Sequence, residues 1–200
     1  MPRIGAEPVR RRSLIDAALA TIGEHGSLDV SVKEIAGRAG MSPALAFHYF
    51  GDKDEIILQT MRHLLREFFA EVTGRLERAR SPRERVEAVI EASFSQSQFD
   101  RKTIAAWLVF YLHACSSDPA ARLFHIYSSR LRSNLVDALR GLIDAKEARA
   151  TAEALGALID GLYVRHALRP GGPDANEAKR VCRDCLDRRL SLHAGAGVTQ

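Results

Sequence analysis

Ser31-Val32-Lys33-Glu34-Ile35-Ala36-Gly37-Arg38-Ala39-Gly40-Met41-Ser42-Pro43-Ala44-Leu45-Ala46-Phe47-His48-Tyr49-Phe50 contains two short helices and the turn between them. Ser31 stands before an apolar-periodic run and has Glu34 three residues on, the spacing of a capping box. Val32, Ile35, Ala36 and Ala39 share one face. Gly40 can take the positive φ that a tight turn demands. Ser42 then caps a second helix whose first position is Pro43, where a missing N–H costs nothing. Ala36 is small enough to let the two helices approach, with Ile35 and Leu45 filling the seam. With one helix in front, this is the minimal unit that lays a helix in the major groove. Helix pairs of this kind also occur in small α-proteins that never touch DNA.

Outward from that segment the pattern stays helical. Ile15, Ala18, Leu19 and Ile22 define a preceding helix over about residues 10–25, stopped by Gly26. Beyond Gly51-Asp52 a long helix from Lys53 to about Arg80 carries Ile57, Met61, Leu64, Phe68 and Val72 on one stripe. Ser81-Pro82 opens the next, and another spans about 102–115. Ser117-Asp118-Pro119 starts a helix running to about Asp144, followed by helices over about 148–168 and 174–193. Strand and hairpin cues are nearly absent. The expectation is an all-α chain of about nine helices: a three-helix helix-turn-helix domain over 1–52, a helical effector-binding and dimerisation domain over 53–193, and a frayed tail over 194–200.

Composition narrows the class. The chain has 200 residues, 46% hydrophobic and 27% charged, the mix of an ordinary globular protein. No apolar run approaches a membrane span and no signal-peptide core is evident, so a cytoplasmic protein is expected. Cys115 stands alone and Cys182-x-x-Cys185 lacks a second pair, which argues against a disulfide framework or a zinc site; on an apolar helix face this spacing suits buried thiols. Net charge is +4, yet residues 1–60 hold seven Lys/Arg against eight Asp/Glu, so charge alone does not decide nucleic-acid binding.

The run Ile35-Ala36-Gly37-Arg38-Ala39-Gly40-Met41-Ser42, with the aromatic-rich ending Phe47-His48-Tyr49-Phe50-Gly51-Asp52-Lys53, resembles the DNA-binding domain of the TetR family. The resemblance implies that Ser31, Tyr49 and Lys53 contact phosphates and that Arg10, Arg11 and Arg12 reach the flanking backbone. Ser42, Pro43, Ala44, Phe47 and His48 would face the groove. That face is poor in Arg, Asn and Gln, so thymine methyls and DNA shape would carry part of the readout. Phe50 suits the core better than DNA; Phe47 as core and His48 as a merely solvated side chain remain open.

Further segments extend the resemblance over residues 2–190: Pro2-Arg3-Ile4-Gly5, Ala105-Ala106-Trp107-Leu108-Val109-Phe110-Tyr111, Arg130-Leu131-Arg132-Ser133-Asn134-Leu135 and Ala157-Leu158-Ile159-Asp160-Gly161-Leu162-Tyr163-Val164-Arg165. They are similar to the BetI type, the choline-responsive repressors of glycine betaine synthesis. Choline would then be an effector, not a cofactor. Its quaternary ammonium donates no hydrogen bond and is held by aromatic faces, worth about 0.5–2 kcal/mol each. Trp107, Phe110 and Tyr111 share one helical face, Tyr127 and Tyr163 lie in the same half, and Asp160 is a candidate counter-charge. A stripe at this spacing equally suits a packed core, and Asp160 could instead pair with Arg165 or Arg130. Another cationic or hydrophobic effector stays open.

The helix over 148–168 is apolar on nearly all sides (Leu155, Leu158, Ile159, Leu162, Val164, Leu168), which predicts burial all round. Gly156, Ala157 and Gly161 permit close approach, and the last helix adds Ala178, Val181, Cys182, Cys185 and Leu186. With these faces available, the resemblance implies as partners a second copy in a four-helix interface and, to match it, a double-stranded, palindromic operator. Catalytic motifs, a phosphate loop and metal-ligand spacings are not found, which argues against an enzyme. A helical interaction module that binds no DNA is the rival from another class; salt-dependent DNA binding separates the two.

Overall fold

The computed structural model describes the backbone of residues 6–196 and the side chains of residues 7–192. Pro2-Arg3-Ile4-Gly5 and the last four residues of the expected tail lie outside the described residues. Among the described residues there are nine helices and no strand: α1 (Ala6–His25), α2 (Val32–Arg38), α3 (Pro43–Phe50), α4 (Lys53–Leu76), α5 (Pro82–Ser93), α6 (Arg101–Ala114), α7 (Asp118–Leu139), α8 (Ala145–Ala167) and α9 (Ala175–Ala196). No described helix is long and apolar enough to cross a membrane.

The caps explain the boundaries. Ser31 Oγ accepts from the Glu34 N–H at 3.1 Å and Ser42 Oγ from the Leu45 N–H at 3.3 Å. The capping box closes only on one side, because the Glu34 carboxylate lies 2.8 Å from His25 Nε2. Gly40 has φ 66°, and the Met41 N–H reaches back to the Ala36 carbonyl at 2.8 Å, tightening the turn. Two expected ends shift. α4 stops at Leu76, where Arg78 and Ala79 make i→i−3 turns instead of helical bonds. α7 stops at Leu139, and Asp144 belongs to α8: its Oδ1 accepts from the N–H groups of Lys146 and Glu147 at 2.9 and 3.1 Å.

The chain divides into two compact units. The first takes residues 1–66 and 101–124, so the expected segment 1–52 sits inside a larger body that includes α6. α6 packs along α1 at Gly23, where an added Cβ would lie 2.4 Å from the Lys102 carbonyl oxygen. Beside it, Glu24 accepts from Arg38 at 2.5 and 2.7 Å and from Lys102 Nζ at 2.6 Å, tying α1, α2 and α6 together. These cations, Arg38 foremost, pull the Glu24 carboxyl down to about 2.

The second unit takes residues 67–100 and 125–200. Phe94, Phe99 and Tyr163 pack with Phe99 at the centre, 4.9 Å from Phe94 and 5.1 Å from Tyr163. Arg183 bridges Glu87 at 2.8 Å and Glu91 at 2.5 Å, and Lys179 meets Glu91 at 2.8 Å, so α9 is clamped to α5. Cys182 is fully buried, which pushes its thiol up to about 12 and keeps it inert. The all-round burial expected of α8 is not found within one chain. Leu155, Ile159, Leu162 and Tyr163 are buried, whereas Val164 is 44% and Leu168 78% exposed, with Ala157 and Gly161 on the open side. A single α9 covers only one flank.

His166 gives the second unit a pH dependence. It is buried against Phe99 at 5.2 Å, and its Nδ1 accepts the Asp174 N–H at 3.1 Å, which needs the unprotonated nitrogen. Burial, then nearby Arg169, lowers its pKa below the usual histidine value. A depressed histidine contributes stability that is complete above its unfolded value of about 6.5 and is lost as pH falls through that value toward the folded pKa. The melting temperature should therefore drop between pH 7 and pH 5. His166→Asn, which keeps an acceptor but cannot protonate, should flatten that part of the curve in a thermal scan.

Candidate nucleic-acid interface and effector region

α3 is a short helix with two buried anchors, Ala46 and Phe50, which leaves its other side open. Ser42, Ala44, Phe47 and His48 are exposed, and Pro43 and Tyr49 are half-buried. Phe47, with 45% of its surface accessible, is not core, while Phe50 is. Ser31 is exposed at the start of α2, and Lys53 opens α4. Asp52 Oδ1 accepts the Glu55 N–H at 2.7 Å, a cap that sequence reasoning took only for a break. The signal was present, an Asp with Glu three residues on.

Most of the acidic side chains in the first 60 residues are answered within the protein, while Asp29 and Asp54 are exposed. Glu7 holds Arg11 at 2.9 Å, Asp16 holds Arg12 at 2.9 Å, Glu24 holds Arg38 and Lys102, and Glu34 faces His25. These acids neutralise local cations, so the raw count of charges says little about where positive charge is presented. Arg10 is exposed on α1. Arg11 differs from its neighbours: its guanidinium lies 5.5 Å from the Tyr49 ring and 5.2 Å from the Phe50 ring.

The six residues expected around an effector fall into both units. Trp107 and Phe110 are buried and Tyr111 half-buried on α6, within the first unit. Tyr111 lies 5.9 Å from Trp107 and 5.0 Å from Phe124, an aromatic that sequence reasoning missed. Tyr127, Asp160 and Tyr163 belong to the second unit. There the Tyr127 hydroxyl donates to Asp160 Oδ1 at 3.4 Å, and its ring lies 5.6 Å from Phe68 and 6.1 Å from Phe69. Phe68 was read as stripe and Phe69 not singled out, because the periodicity of α4 marks core without saying what the core faces. Arg130, one expected partner of Asp160, places its guanidinium 4.4 Å from the Phe69 ring. Tyr163 donates its hydroxyl to the Ser93 carbonyl at 2.5 Å, and burial raises its pKa well above 10, so it stays a neutral phenol.

A cleft of about 350 Å³ lies between α7 and α8 in the second unit, lined by His125, Ser128, Ser129, Arg132, Glu153 and Asp160 among others. Asp160 therefore has one oxygen near Tyr127 and also borders open space. No group of three or more metal-ligating side chains occurs among the described residues.

Residues 14–60 match the model of bacterial regulatory proteins of the TetR family, and residues 82–191 match the C-terminal model of BetI-type transcriptional repressors. The HTH-type transcriptional regulator BetI of Brucella melitensis biotype 2 is 54% identical over 191 residues, covering 96% of each chain. Its counterpart in Agrobacterium fabrum is 48% identical over 190 residues, covering 95% of this chain and 92% of the relative. Among solved structures, a regulator from Pseudomonas aeruginosa PAO1 has a TM-score of 0.73 at 30% identity, covering 97% of this chain and 94% of that one. A regulator from Saccharomonospora viridis in complex with choline has a TM-score of 0.80 at 22% identity, covering 88% of this chain and 95% of that one. All of these are named as transcriptional regulators. The chain belongs to the TetR family of bacterial transcriptional regulators, with the C-terminal half of a BetI-type repressor.

Proposed function

We infer that this protein is a cytoplasmic homodimer that represses genes for choline uptake and glycine betaine synthesis and leaves its operator when choline binds. The observation that carries the choline assignment is Asp160 at the hydroxyl of Tyr127, whose ring packs on Phe68 and Phe69, in a chain 54% identical to proteins named BetI. Aromatic faces with a carboxylate nearby are chemistry suited to a quaternary ammonium. Residues 1–52 would bind DNA, with Ser31, Tyr49 and Lys53 on phosphates and the face of Ser42, Pro43, Ala44, Phe47 and His48 toward the bases. Residues 53–193 would bind the effector and the second copy. The open side of α8 supports dimerisation, and beside it lies an α8–α9 cleft of about 470 Å³ whose apolar lining, Leu158, Val181, Cys185 and Leu192, is flanked by Asp184, Arg188 and Arg189.

Choline can weaken operator binding only by its differential affinity for the free and DNA-bound shapes. Calorimetry with choline, alongside DNA binding at rising choline, tests this. Wild type should release heat on binding and lose DNA affinity, while Asp160→Asn should bind choline about tenfold more weakly with unchanged DNA affinity in its absence. Absence of heat and of any effect on DNA at millimolar choline would remove the effector assignment and leave the repressor.

A further inference from the structure

We propose that Arg11 is a positioning residue for the DNA-reading helix and acts through Tyr49, whereas its neighbours Arg10 and Arg12 are free of that task. The proposal rests on the DNA-binding role of α3 and assigns Arg11 a different part in it from a phosphate contact.

Three observations converge on the side chain. The Arg11 guanidinium lies over two consecutive rings of the last turn of α3, 5.5 Å from Tyr49 and 5.2 Å from Phe50. Its Nε donates to Glu7 Oε1 at 2.9 Å, one turn earlier on α1, so its charge is answered within the protein. It is half-buried, whereas Arg10 and Arg12 are exposed.

The need for such a brace follows from the size of α3. Pro43–Phe50 is an eight-residue helix, and only Ala46 and Phe50 are buried. With only two fully buried anchors one turn apart, the orientation of α3 about its axis depends on its half-buried side chains, Leu45 and Tyr49. The Arg11 cation, within cation–π range of both Phe50 and Tyr49, opposes rotation of α3, and the bond to Glu7 holds the guanidinium in place. Tyr49 is half-buried and its ring also meets His48 at 5.5 Å. Arg11 thus sets the direction of a phosphate-facing phenol and of the exposed His48 together.

A lysine keeps the charge and loses the planar stacking surface, so positioning and simple phosphate contact predict opposite results. The test uses the full-length protein, a duplex that wild type enriches from a random-sequence pool, and a scrambled duplex of equal length, over a salt series. Arg11→Ala and Arg11→Lys should each weaken the enriched duplex about tenfold. The scrambled duplex should lose less, because it has no base contact through His48 to lose, so the specificity ratio falls. The slope of log K against log salt should stay at the wild-type value. In a Tyr49→Ala background, Arg11→Ala should add less than about twofold. Full rescue by lysine, or a slope shallower by about 0.9 for each lost contact, would overturn the proposal in favour of a phosphate contact. Equal losses on both duplexes would overturn it in favour of general destabilisation. Failure of wild type to enrich any duplex would instead bring down the DNA-binding reading beneath it.

Discussion

Gly23→Ala should destabilise the protein by about 1–2 kcal/mol, although alanine is the better helix former. In an open helical position the exchange would gain roughly 0.5–1 kcal/mol. At Gly23 the new Cβ would sit 2.4 Å from the Lys102 carbonyl oxygen and 2.9 Å from its carbon, both backbone atoms that cannot swing aside. α6 must therefore lift from α1, and the Glu24 link to Lys102 stretches with it. Gly74 on α4 provides the internal control, since nothing lies within 4 Å of its added Cβ. Gly74→Ala should raise the urea midpoint and Gly23→Ala should lower it, at one protein concentration because the proposed dimerisation would shift apparent stability. Equal midpoints for Gly23→Ala and wild type would mean that α1 and α6 do not meet as closely as described.

That contact also marks where sequence reasoning stops. Local rules recovered what is local: the Ser31 and Ser42 caps, the positive φ at Gly40 and the stripe Ile57, Met61, Leu64, Phe68 and Val72, all of it buried. Gly23 looked like an unremarked residue near a helix end, because its constraint comes from a carbonyl 79 positions away in the chain. Asp144 was taken for the end of one helix when its side chain starts the next, an ambiguity inherent to a residue that favours both turns and N-caps. The aromatics were legible as a set but not as neighbours. Tyr111 meets Phe124 and Tyr127 meets Phe68 and Phe69, partners whose spacing follows no single helical period. Charge counting was undecided for a related reason: the carboxylates of Glu7, Asp16 and Glu24 are matched one by one with arginines, which a sum conceals.

Val164→Glu should abolish the dimer while leaving the protomer helical, and with it reduce specific DNA affinity by about 10³ or more, to the level of non-specific binding. Val164 is 44% exposed in the single chain, so the substitution itself creates no buried charge in a protomer. In the proposed dimer the open side of α8, with Ala157, Gly161, Val164 and Leu168, faces its own copy, and a two-fold axis brings two new carboxylates into one interface. An unpaired charge enclosed in that way costs several kcal/mol, about 3–5 for breaking a buried pair being a fair scale. The loss in DNA binding exceeds the loss of a contact, because one protomer reads only one half-site. Leu112→Glu is the matched control: Leu112 is 73% exposed on α6, and its replacement should leave mass and DNA affinity at wild-type values. Sedimentation velocity reads the mass and far-ultraviolet circular dichroism the helicity. A Val164→Glu protein that still sediments as a dimer would show that α8 pairs through another face, and one that loses its helicity would show that Val164 supports the protomer itself.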